Sequence, residues 1–269
     1  MSEPIVQKAK ERVRIATHIE GLDDLLLGGI PQGHSTLVFG SPGTTKTSLV
    51  LKTFFEEVKI NKRNSLFISL DQDYYSLYNQ LVSLGLSMNE ISIVHIDNLT
   101  NFGTIMTKVK ANTEGTIIVI DKSTMKREIK QEEGEIKGWL NIIKNLIKKI
   151  KQSVELDLFA LDSLEMLENL AGFTNPKKTI KELFSLLEDL YLTSYFISER
   201  KNPQNKPIFD EDIYCDGIIY LSLAYYSRKA VRELTILKMR QTKCTHDTHT
   251  LRYDKGTFLV EHGGENPLV

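Results

Sequence analysis

The stretch GSPGTTKT at residues 40–47 has the spacing of a phosphate-binding loop. That pattern requires a glycine-rich turn after a strand, followed by Gly-Lys-Ser/Thr at the start of a helix, so that backbone N–H groups and the lysine surround a triphosphate. Lys46 and Thr47 match the pattern, whereas Thr45 occupies the position of the last glycine. The motif must therefore be judged by its surroundings.

The sequence on either side of the loop supplies the context that the motif needs. STLVFG (35–40) is a short apolar run rich in β-formers, and TSLVLKTFFEEV after the loop has helical spacing. Strand, glycine turn and helix therefore follow in the required order. The loop residues predicted to contact a nucleotide are Ser41, Pro42, Gly43, Thr44, Thr45, Lys46, Thr47 and Ser48.

Composition predicts an ordinary α/β domain and excludes several protein classes. The chain has 269 residues, 41% hydrophobic and 26% charged, with a formal net charge of −1 and a pI near 6.6. Nothing global therefore attracts it to nucleic acid or an anionic membrane, although this leaves room for a local basic surface. The two cysteines, Cys215 and Cys244, are far apart, which argues against a disulfide framework and fits a reducing compartment. No signal peptide and no apolar run of membrane-spanning length is found, so we expect a cytoplasmic protein that does not bind membranes.

Apolar runs alternate with helical segments along most of the chain. Several of these runs end in aspartate, which is typical of buried parallel strands covered by helices on both faces. After Tyr214 the pattern changes to successive antiparallel strands joined by polar turns. The runs predicted as parallel strands are 35–40, 65–71, 91–97, 116–121, 155–163 and 193–200.

An amphipathic helix is predicted over residues 135–152. Its apolar positions, from Trp139 to Ile150, form one stripe, and lysines lie opposite. Such a helix could bind a membrane or a partner, but a helix that covers the sheet and exposes a solvated lysine face is the simpler interpretation.

A phosphate-binding loop also needs an aspartate at the end of a neighbouring strand, to hold Mg²⁺ or its water. Asp121 ends TIIVID and Asp162 ends LFALD. We favour Asp162, because it is followed by a serine and a helix further along the regular alternation, and Asp121 is the second choice. One of the two aspartates could simply cap the next turn.

Hydrolysis further requires a group that orients or deprotonates the attacking water. The segment Asp71-Gln72-Asp73, at the end of the strand after the loop helix, can supply one. On sequence alone, a polar turn in which Asp73 caps the next helix is an equally good interpretation. A second cluster, Cys244, His246 and His249, lacks a fourth ligand, so we predict no zinc site.

The chain as a whole resembles the KaiC-like branch of the RecA superfamily, in its single-domain archaeal and bacterial form. The resemblance covers almost the whole chain in the correct order, and implies a RecA-like P-loop core. The matching segments are TxIxGLDDLLLGGIPQG (17–33), GSPGTTKT (40–47), SLDQD (69–73), FALDSLEML (159–167), ISER (197–200), ILKMRQTKCTH (236–246) and YDKGTFLV (253–260).

The resemblance implies an ATP site with Mg²⁺ at the boundary between two protomers of a ring that is usually hexameric. Thr47 and Asp162 would hold the metal, and Lys238 and Arg240 would reach from one subunit to the γ-phosphate held by the next. Such cations stabilise charge on the transferring phosphoryl group and make turnover depend on assembly.

The sequence departs from the family pattern at several positions near this chemistry. Thr45, His18 and Gln241 replace glycines, and Asp71-Gln72 replaces a pair of glutamates. A shorter carboxylate lies further from the water, and small misplacements can cost orders of magnitude in rate. The sequence therefore predicts slow hydrolysis or none, with Lys46, Asp71, Lys238 and Arg240 as the catalytic residues.

We expect a flexible arm (1–13), one ATPase domain (14–260) with an insertion at about 98–135, and a tail (261–269). The favoured function is a slow Mg²⁺-dependent ATPase that acts as an oligomeric switch on an unknown regulatory protein partner. The alternatives are an ATP-sensing scaffold without turnover, a DNA-associated ATPase and an autophosphorylating protein. The near-neutral pI and the lack of a DNA-binding module disfavour nucleic acid as a partner.

Overall fold

The structure, a computed structural model, describes residues 13–131, 138–171, 176–199, 214–226, 229–254 and 256–261. The predicted arm and tail lie outside these ranges, apart from Val13 and Glu261. The strands in the described ranges are β1 (Arg14–Ile15), β2 (Ile30–Pro31), β3 (Ser35–Gly40), β4 (Asn64–Ser69), β5 (Ser92–His95), β6 (Thr116–Ile120), β7 (Leu158–Asp162), β8 (Thr193–Glu199), β9 (Gly217–Tyr226), β10 (Lys229–Met239), β11 (Thr248–Asp254) and β12 (Thr257–Glu261).

Ten of the strands form one sheet in the order β12-β11-β10-β9-β3-β8-β7-β4-β6-β5, while β1 and β2 pair separately. The strands from β9 to β5 in that order are parallel, and β9 to β12 pair antiparallel along the chain. The predicted fold class, a mainly parallel sheet with antiparallel C-terminal strands, is confirmed.

Helices cover both faces of this sheet, as parallel strands require. The α-helices are α1 (Leu22–Leu25), α2 (Lys46–Asn61), α3 (Tyr74–Ser83), α4 (Phe102–Ala111), α5 (Lys122–Gln131), α6 (Gly138–Ser153), α7 (Leu164–Ala171) and α8 (Pro176–Asp189). Helices α2 and α3 contribute to the core on one face, and α4, α6 and α8 contribute to the core on the other. None of the described helices is long and apolar enough to cross a membrane.

The predicted amphipathic helix is present as α6, and its apolar stripe lies against the sheet. Ile143, Ile147 and Ile150 are fully buried, whereas Lys148 and Lys149 are exposed. The helix therefore covers the core and leaves its lysine side in solvent, as the simpler interpretation expected.

Strand β3 lies inside the sheet, between β8 and β9, and its six residues are all buried. Its last residue, Gly40, has φ 157° and pairs with Leu221 of β9. A Cβ atom at Gly40 would come within 1.9 Å of the Leu221 carbonyl oxygen, so only glycine fits where the chain leaves the sheet. The phosphate-binding motif thus begins at the carboxyl edge of the parallel strands.

The stretch 98–135, which we expect to be an insertion, contributes a strand to the interior of the sheet. Strand β6 pairs with β4 on one side and with β5 on the other. All five β6 residues are buried. This part of the chain is therefore integral to the core, and β6 separates β5 from the rest of the sheet.

Candidate functional site

The loop at residues 40–47 leads directly into helix α2, which begins at Lys46. Thr45 precedes the helix in a left-handed conformation, with φ 69° and ψ 25°. Gly43 is also left-handed, with φ 80°, and a Cβ atom there would meet nothing within 4 Å. The backbone at Thr45 thus keeps the region that glycine favours, although the residue is β-branched.

Lys46 is the buried cation of the site. Its Nζ donates hydrogen bonds to the carbonyl oxygens of Gly40 and Ser41, each at 3.0 Å, and lies 4.0 Å from Oε1 of Glu199. Burial lowers the pKa of Lys46, against the opposing effect of the carboxylates of Glu199, Asp162 and Glu165. An anionic ligand would offset the cost of burying the charged ammonium group, so the lysine is suited to phosphate oxygens.

The structure places Asp162, the favoured aspartate, beside the loop. Thr47 Oγ1 donates a 2.8 Å hydrogen bond to Asp162 Oδ2. Burial raises the pKa of Asp162 to about 6, the nearby Asp71 carboxylate acts in the same direction, and the Thr47 hydrogen bond and Lys46 oppose the rise. A hydroxyl and a carboxylate at the foot of a phosphate loop are the hard oxygen donors that Mg²⁺ prefers.

Asp121, the second choice, lies elsewhere. Strand β4 separates its strand, β6, from β7, and the Asp121 carboxylate accepts hydrogen bonds from the backbone N–H groups of Thr124 (2.9 Å) and Tyr74 (3.0 Å). Burial alone would raise the pKa of Asp121, but the nearby His95 and these N–H groups hold it below its usual range. The contacts are those of a helix cap, which is the alternative that the sequence left open.

The segment 71–73 divides its roles between the pocket and a helix cap. Asp71 and Gln72 line the pocket above the loop, whereas Asp73 Oδ1 accepts a 2.8 Å hydrogen bond from the backbone N–H of Ser76 at the start of α3. Asp71 is therefore placed where it can face a ligand, and Asp73 stabilises the helix.

The pocket has a volume of about 600 Å³ and is lined by the loop and by the carboxyl ends of β4, β7 and β8. This is the edge of a parallel sheet where ligands of such folds bind. Its lining residues are Gly43, Thr45, Lys46, Thr47, Ser48, Asp71, Gln72, Gln80, Asp162, Ser163, Glu165, Met166, Ile197 and Glu199.

Two carboxylates in this pocket were not identified from the sequence. Glu165, in the first turn of α7, accepts hydrogen bonds from the backbone N–H of Glu199 (2.7 Å) and from Ser198 Oγ (3.2 Å). Its position three residues after Asp162, and the position of Glu199 at the end of a strand, are the only signals in the sequence. Together they tie the start of α7 to the end of β8 beside Lys46.

Two further polar contacts support the loop and were also missed. Gln80 of α3 donates from Nε2 to Ser48 Oγ at 2.8 Å. Arg232 of β10 donates from Nε to the Gly43 carbonyl oxygen at 3.3 Å. Arg232 is six residues before Lys238 in the sequence, but only the hairpin of β9 and β10 brings it to the loop.

Lys238 and Arg240 do not line the pocket of their own chain. Lys238 Nζ donates to the Cys215 carbonyl oxygen at 2.6 Å, and Arg240 pairs with the Asp216 carboxylate at 2.9 Å. Both partners precede β9, whose first residue pairs with Thr36 near the amino end of β3. The two cations therefore lie at the opposite edge of the sheet from the loop.

The cluster Cys244, His246 and His249 shows no metal-binding geometry. In the described part of the chain, no group of three His, Cys, Asp or Glu side chains could hold a metal ion. His246 Nδ1 lies 3.2 Å from the Ile236 carbonyl oxygen, and His249 is buried on β11.

Comparison with known proteins identifies similar sequences over most of the chain. The family model described as "ATPase: KaiC" matches residues 15–261. The circadian clock oscillator protein KaiC of Thermostichus vulcanus is 23% identical over 248 residues, which cover 90% of this chain and 43% of that protein. A UPF0273 protein of Saccharolobus solfataricus is 25% identical over 259 residues, covering 92% of this chain and 82% of that protein.

Among solved structures, a KaiC-like protein from the hyperthermophilic archaeon Pyrococcus horikoshii has the same fold. Its TM-score is 0.71 at 17% sequence identity, with 93% of this chain and 100% of the other covered. This chain spans less than half the length of the clock proteins that it matches, but most of the length of the UPF0273 protein.

Proposed function

Because the chain belongs to the KaiC family of P-loop ATPases, we propose that it binds Mg²⁺-ATP in the pocket above residues 40–47 and hydrolyses it slowly, as an oligomeric switch. The observation that carries this proposal is the 2.8 Å hydrogen bond between Thr47 Oγ1 and Asp162 Oδ2. It joins the loop to a strand-end carboxylate that is distant in sequence, which a chance match to the loop pattern would not produce.

Each side chain of the pocket has a role in this proposal. Lys46 binds the terminal phosphates, and the N–H groups at the start of α2 bind the remaining phosphate oxygens. Thr47 and Asp162 hold Mg²⁺, which when bound neutralises charge on those oxygens. Asp71, at the pocket wall, orients the attacking water.

The proposed rate is low because of the residues that stand at the water-orienting position. Asp71 is shorter than glutamate by one methylene, and the neighbouring Gln72 is uncharged. A misplaced base costs orders of magnitude in rate without preventing nucleotide binding. An ATP sensor without turnover is therefore the second candidate, and the left-handed Thr45 beside the phosphate position favours it.

The proposal that the protein assembles into an oligomer rests on Lys238 and Arg240. Their place at the opposite edge of the sheet prevents contact with the pocket of the same chain, but suits contact with the pocket of a neighbour. A head-to-tail interface that closes into a ring provides such a contact at every site. We propose a hexamer, whose nucleotide state controls a regulatory protein partner.

The experiment is release of phosphate from Mg²⁺-ATP by the wild type, Lys46→Ala and Asp162→Asn, with nucleotide binding and assembly size measured on the same samples. We expect slow wild-type turnover that both substitutions abolish. Lys46→Ala should weaken ATP binding with or without Mg²⁺, whereas Asp162→Asn should weaken it only with Mg²⁺. Binding without any wild-type turnover would establish the sensor, and unchanged binding in both variants would refute the site.

A further inference from the structure

The near-neutral total charge hides a strong separation of charge along the chain. Residues 98–153 contain eleven Lys and Arg but six Asp and Glu, a formal net charge of +5, so the rest of the chain carries −6. This positive stretch includes α4 and α6, which cover the same face of the sheet and contact each other. The charged side chains of these two helices therefore lie on one side of the molecule.

Four exposed lysines define what we call the basic surface: Lys108 and Lys110 on α4, and Lys148 and Lys149 on α6. The apolar sides of both helices face the core, so their exposed sides point in the same direction. The ends of the two helices converge, because Lys110 and Lys151 border one groove of about 390 Å³, which also contains the carboxylate of Glu155. The four lysines thus all lie on the side of the molecule that α4 and α6 cover.

These lysines differ from the basic residues on the other face of the sheet. There, Lys52 pairs with Glu56, Lys59 with Glu90, and Lys62 with Glu114. Arg63 pairs with both Glu57 and Asp157. No ion pair is found for Lys108, Lys110, Lys148 or Lys149 among the described residues. Their positive charge is therefore available to a ligand.

Helix dipoles account for only part of this arrangement. Lys108 and Lys110 lie in the last turn of α4, where the helix dipole favours cations. Lys148 and Lys149 precede the last turn of α6. A dipole explains why cations end a helix, but not why these four lysines have no ion pair among the described residues, whereas Lys144, also on α6, pairs with Glu182 at 3.0 Å.

We propose that the basic surface binds the phosphate backbone of duplex nucleic acid without reading its bases. Lysine ammonium groups contact phosphates as point charges, and such contacts supply most of the affinity of sequence-independent binding. The exposed large hydrophobic side chains of the described chain lie elsewhere, none of them on α4 or α6, so the surface offers neither stacking platforms nor the apolar anchors of a protein interface.

An anionic membrane fits the surface less well. An interfacial helix inserts its apolar face between lipids. In α6 that face is already buried against the sheet. The surface is therefore suited to a polyanion that approaches from solvent, which a duplex backbone does.

The expected binding is weak and depends strongly on salt. Non-specific complexes have dissociation constants of roughly 10⁻⁴–10⁻⁶ M, and four phosphate contacts give a slope of log K against log salt of about −3.6. Raising the salt from about 50 to about 200 mM should therefore weaken binding roughly 100-fold.

The experiment is fluorescence anisotropy of a labelled duplex DNA of about 30 base pairs with the full chain, repeated with a duplex of unrelated sequence. Lys148→Glu with Lys149→Glu, and Lys108→Glu with Lys110→Glu, should each weaken binding at least tenfold and flatten the salt slope. The matched control is Lys59→Glu with Lys229→Glu, which makes the same charge change outside the basic surface. It should retain wild-type affinity within about twofold.

ATP binding by each variant shows that the fold is intact, and it should be unchanged because none of these lysines lines the nucleotide pocket. Vesicles with and without anionic lipid are tested in parallel. The proposal would be overturned by any of three results: an equal loss of DNA affinity in the control and surface variants, a strong preference for one duplex sequence, or binding to anionic vesicles but not to DNA. Failure of ATP hydrolysis would leave it unaffected, since the two sites are separate.

Discussion

Thr45 immediately precedes helix α2 with φ 69° and ψ 25°, a conformation that costs a non-glycine residue about 1–2 kcal/mol. His18 and Gln241, the other two residues that stand where the KaiC pattern has glycine, are also left-handed, with φ of 56° and 60°. His18 gains a 2.7 Å contact between Nε2 and Glu57 Oε1. At all three positions the chain therefore adopts a backbone conformation that glycine favours, despite the larger side chains.

Replacing Thr45 by glycine tests this strain. Glycine removes the energetic cost of the left-handed conformation, and this gain is larger than the stability lost because glycine makes the unfolded chain more flexible. Thr45→Gly should therefore raise the free energy of unfolding by about 0.5–1 kcal/mol. Urea denaturation measures the change. The control is Thr107→Gly on the exposed side of α4, which should destabilise by a few tenths of a kcal/mol. A loss of stability at both positions would show that Thr45 is not strained.

The pKa of Asp162 makes stability depend on pH. Its folded value, about 6, lies above the ordinary 3.8, so the folded state binds a proton more tightly than the unfolded state. The free energy of unfolding should therefore fall by about 2 kcal/mol as pH rises from 4 to 6, relative to Asp162→Asn. Chemical denaturation of both proteins across this range, without nucleotide, measures the difference. Parallel curves would show that burial does not raise this pKa.

At the scale of elements, three aspartates follow parallel strands, and the sequence favoured Asp162 over Asp121 as the metal ligand only from its place in the strand–helix alternation and from the family resemblance. Asp71, Asp121 and Asp162 all end apolar runs. Which of them lies beside the loop depends on strand order, because β4 separates β6 from β7. The sequence predicted the strands from their apolar runs, but the order requires pairings between distant segments, which periodicity does not encode.

Asp71 and Asp73 lie two residues apart but have different proposed roles, Asp73 in capping helix α3 and Asp71 in catalysis. Asp73→Ala removes the side-chain acceptor from the start of α3 and should lower the free energy of unfolding by about 1 kcal/mol. Asp71 is exposed at the pocket wall, so Asp71→Ala should leave stability within about 0.5 kcal/mol and lower the rate of phosphate release at least tenfold. Thermal unfolding and phosphate release on both variants provide the comparison. Equal effects on stability would contradict the division.

At the scale of the whole molecule, the site combines residues that the sequence identified with residues that only the fold brings together. Lys46, Thr47 and Asp71 follow from motif and strand ends, because each is defined by its local segment. Glu199 reaches the pocket at the end of β8, with only its strand-end position as a signal, and Arg232 reaches the loop through the β9–β10 hairpin. The charge separation was missed for a related reason, since a net charge of −1 averages over opposite faces.

In the proposed ring, the position of Lys238 and Arg240 at the edge of the sheet away from the loop would make turnover a property of the assembly. If they act on a neighbour, Lys238→Ala with Arg240→Ala should reduce turnover by about 10³-fold while ATP binding at the intact loop persists. Lys46→Ala is inactive for the opposite reason, because it keeps the cations and loses the phosphate contact.

Mixing these two inactive proteins in equal amounts separates action in trans from action in cis. In rings that assemble at random, roughly a quarter of the interfaces join an intact loop from one variant to intact cations from the other, so turnover should return to about a quarter of the wild-type value per site. Phosphate release is measured after dissociation and reassembly, with each variant alone as the control. If the cations acted on the loop of their own chain, the two variants could not restore each other's activity, because each chain would carry one defect. A mixture that stays inactive although mixed assemblies form would therefore exclude a site shared between subunits.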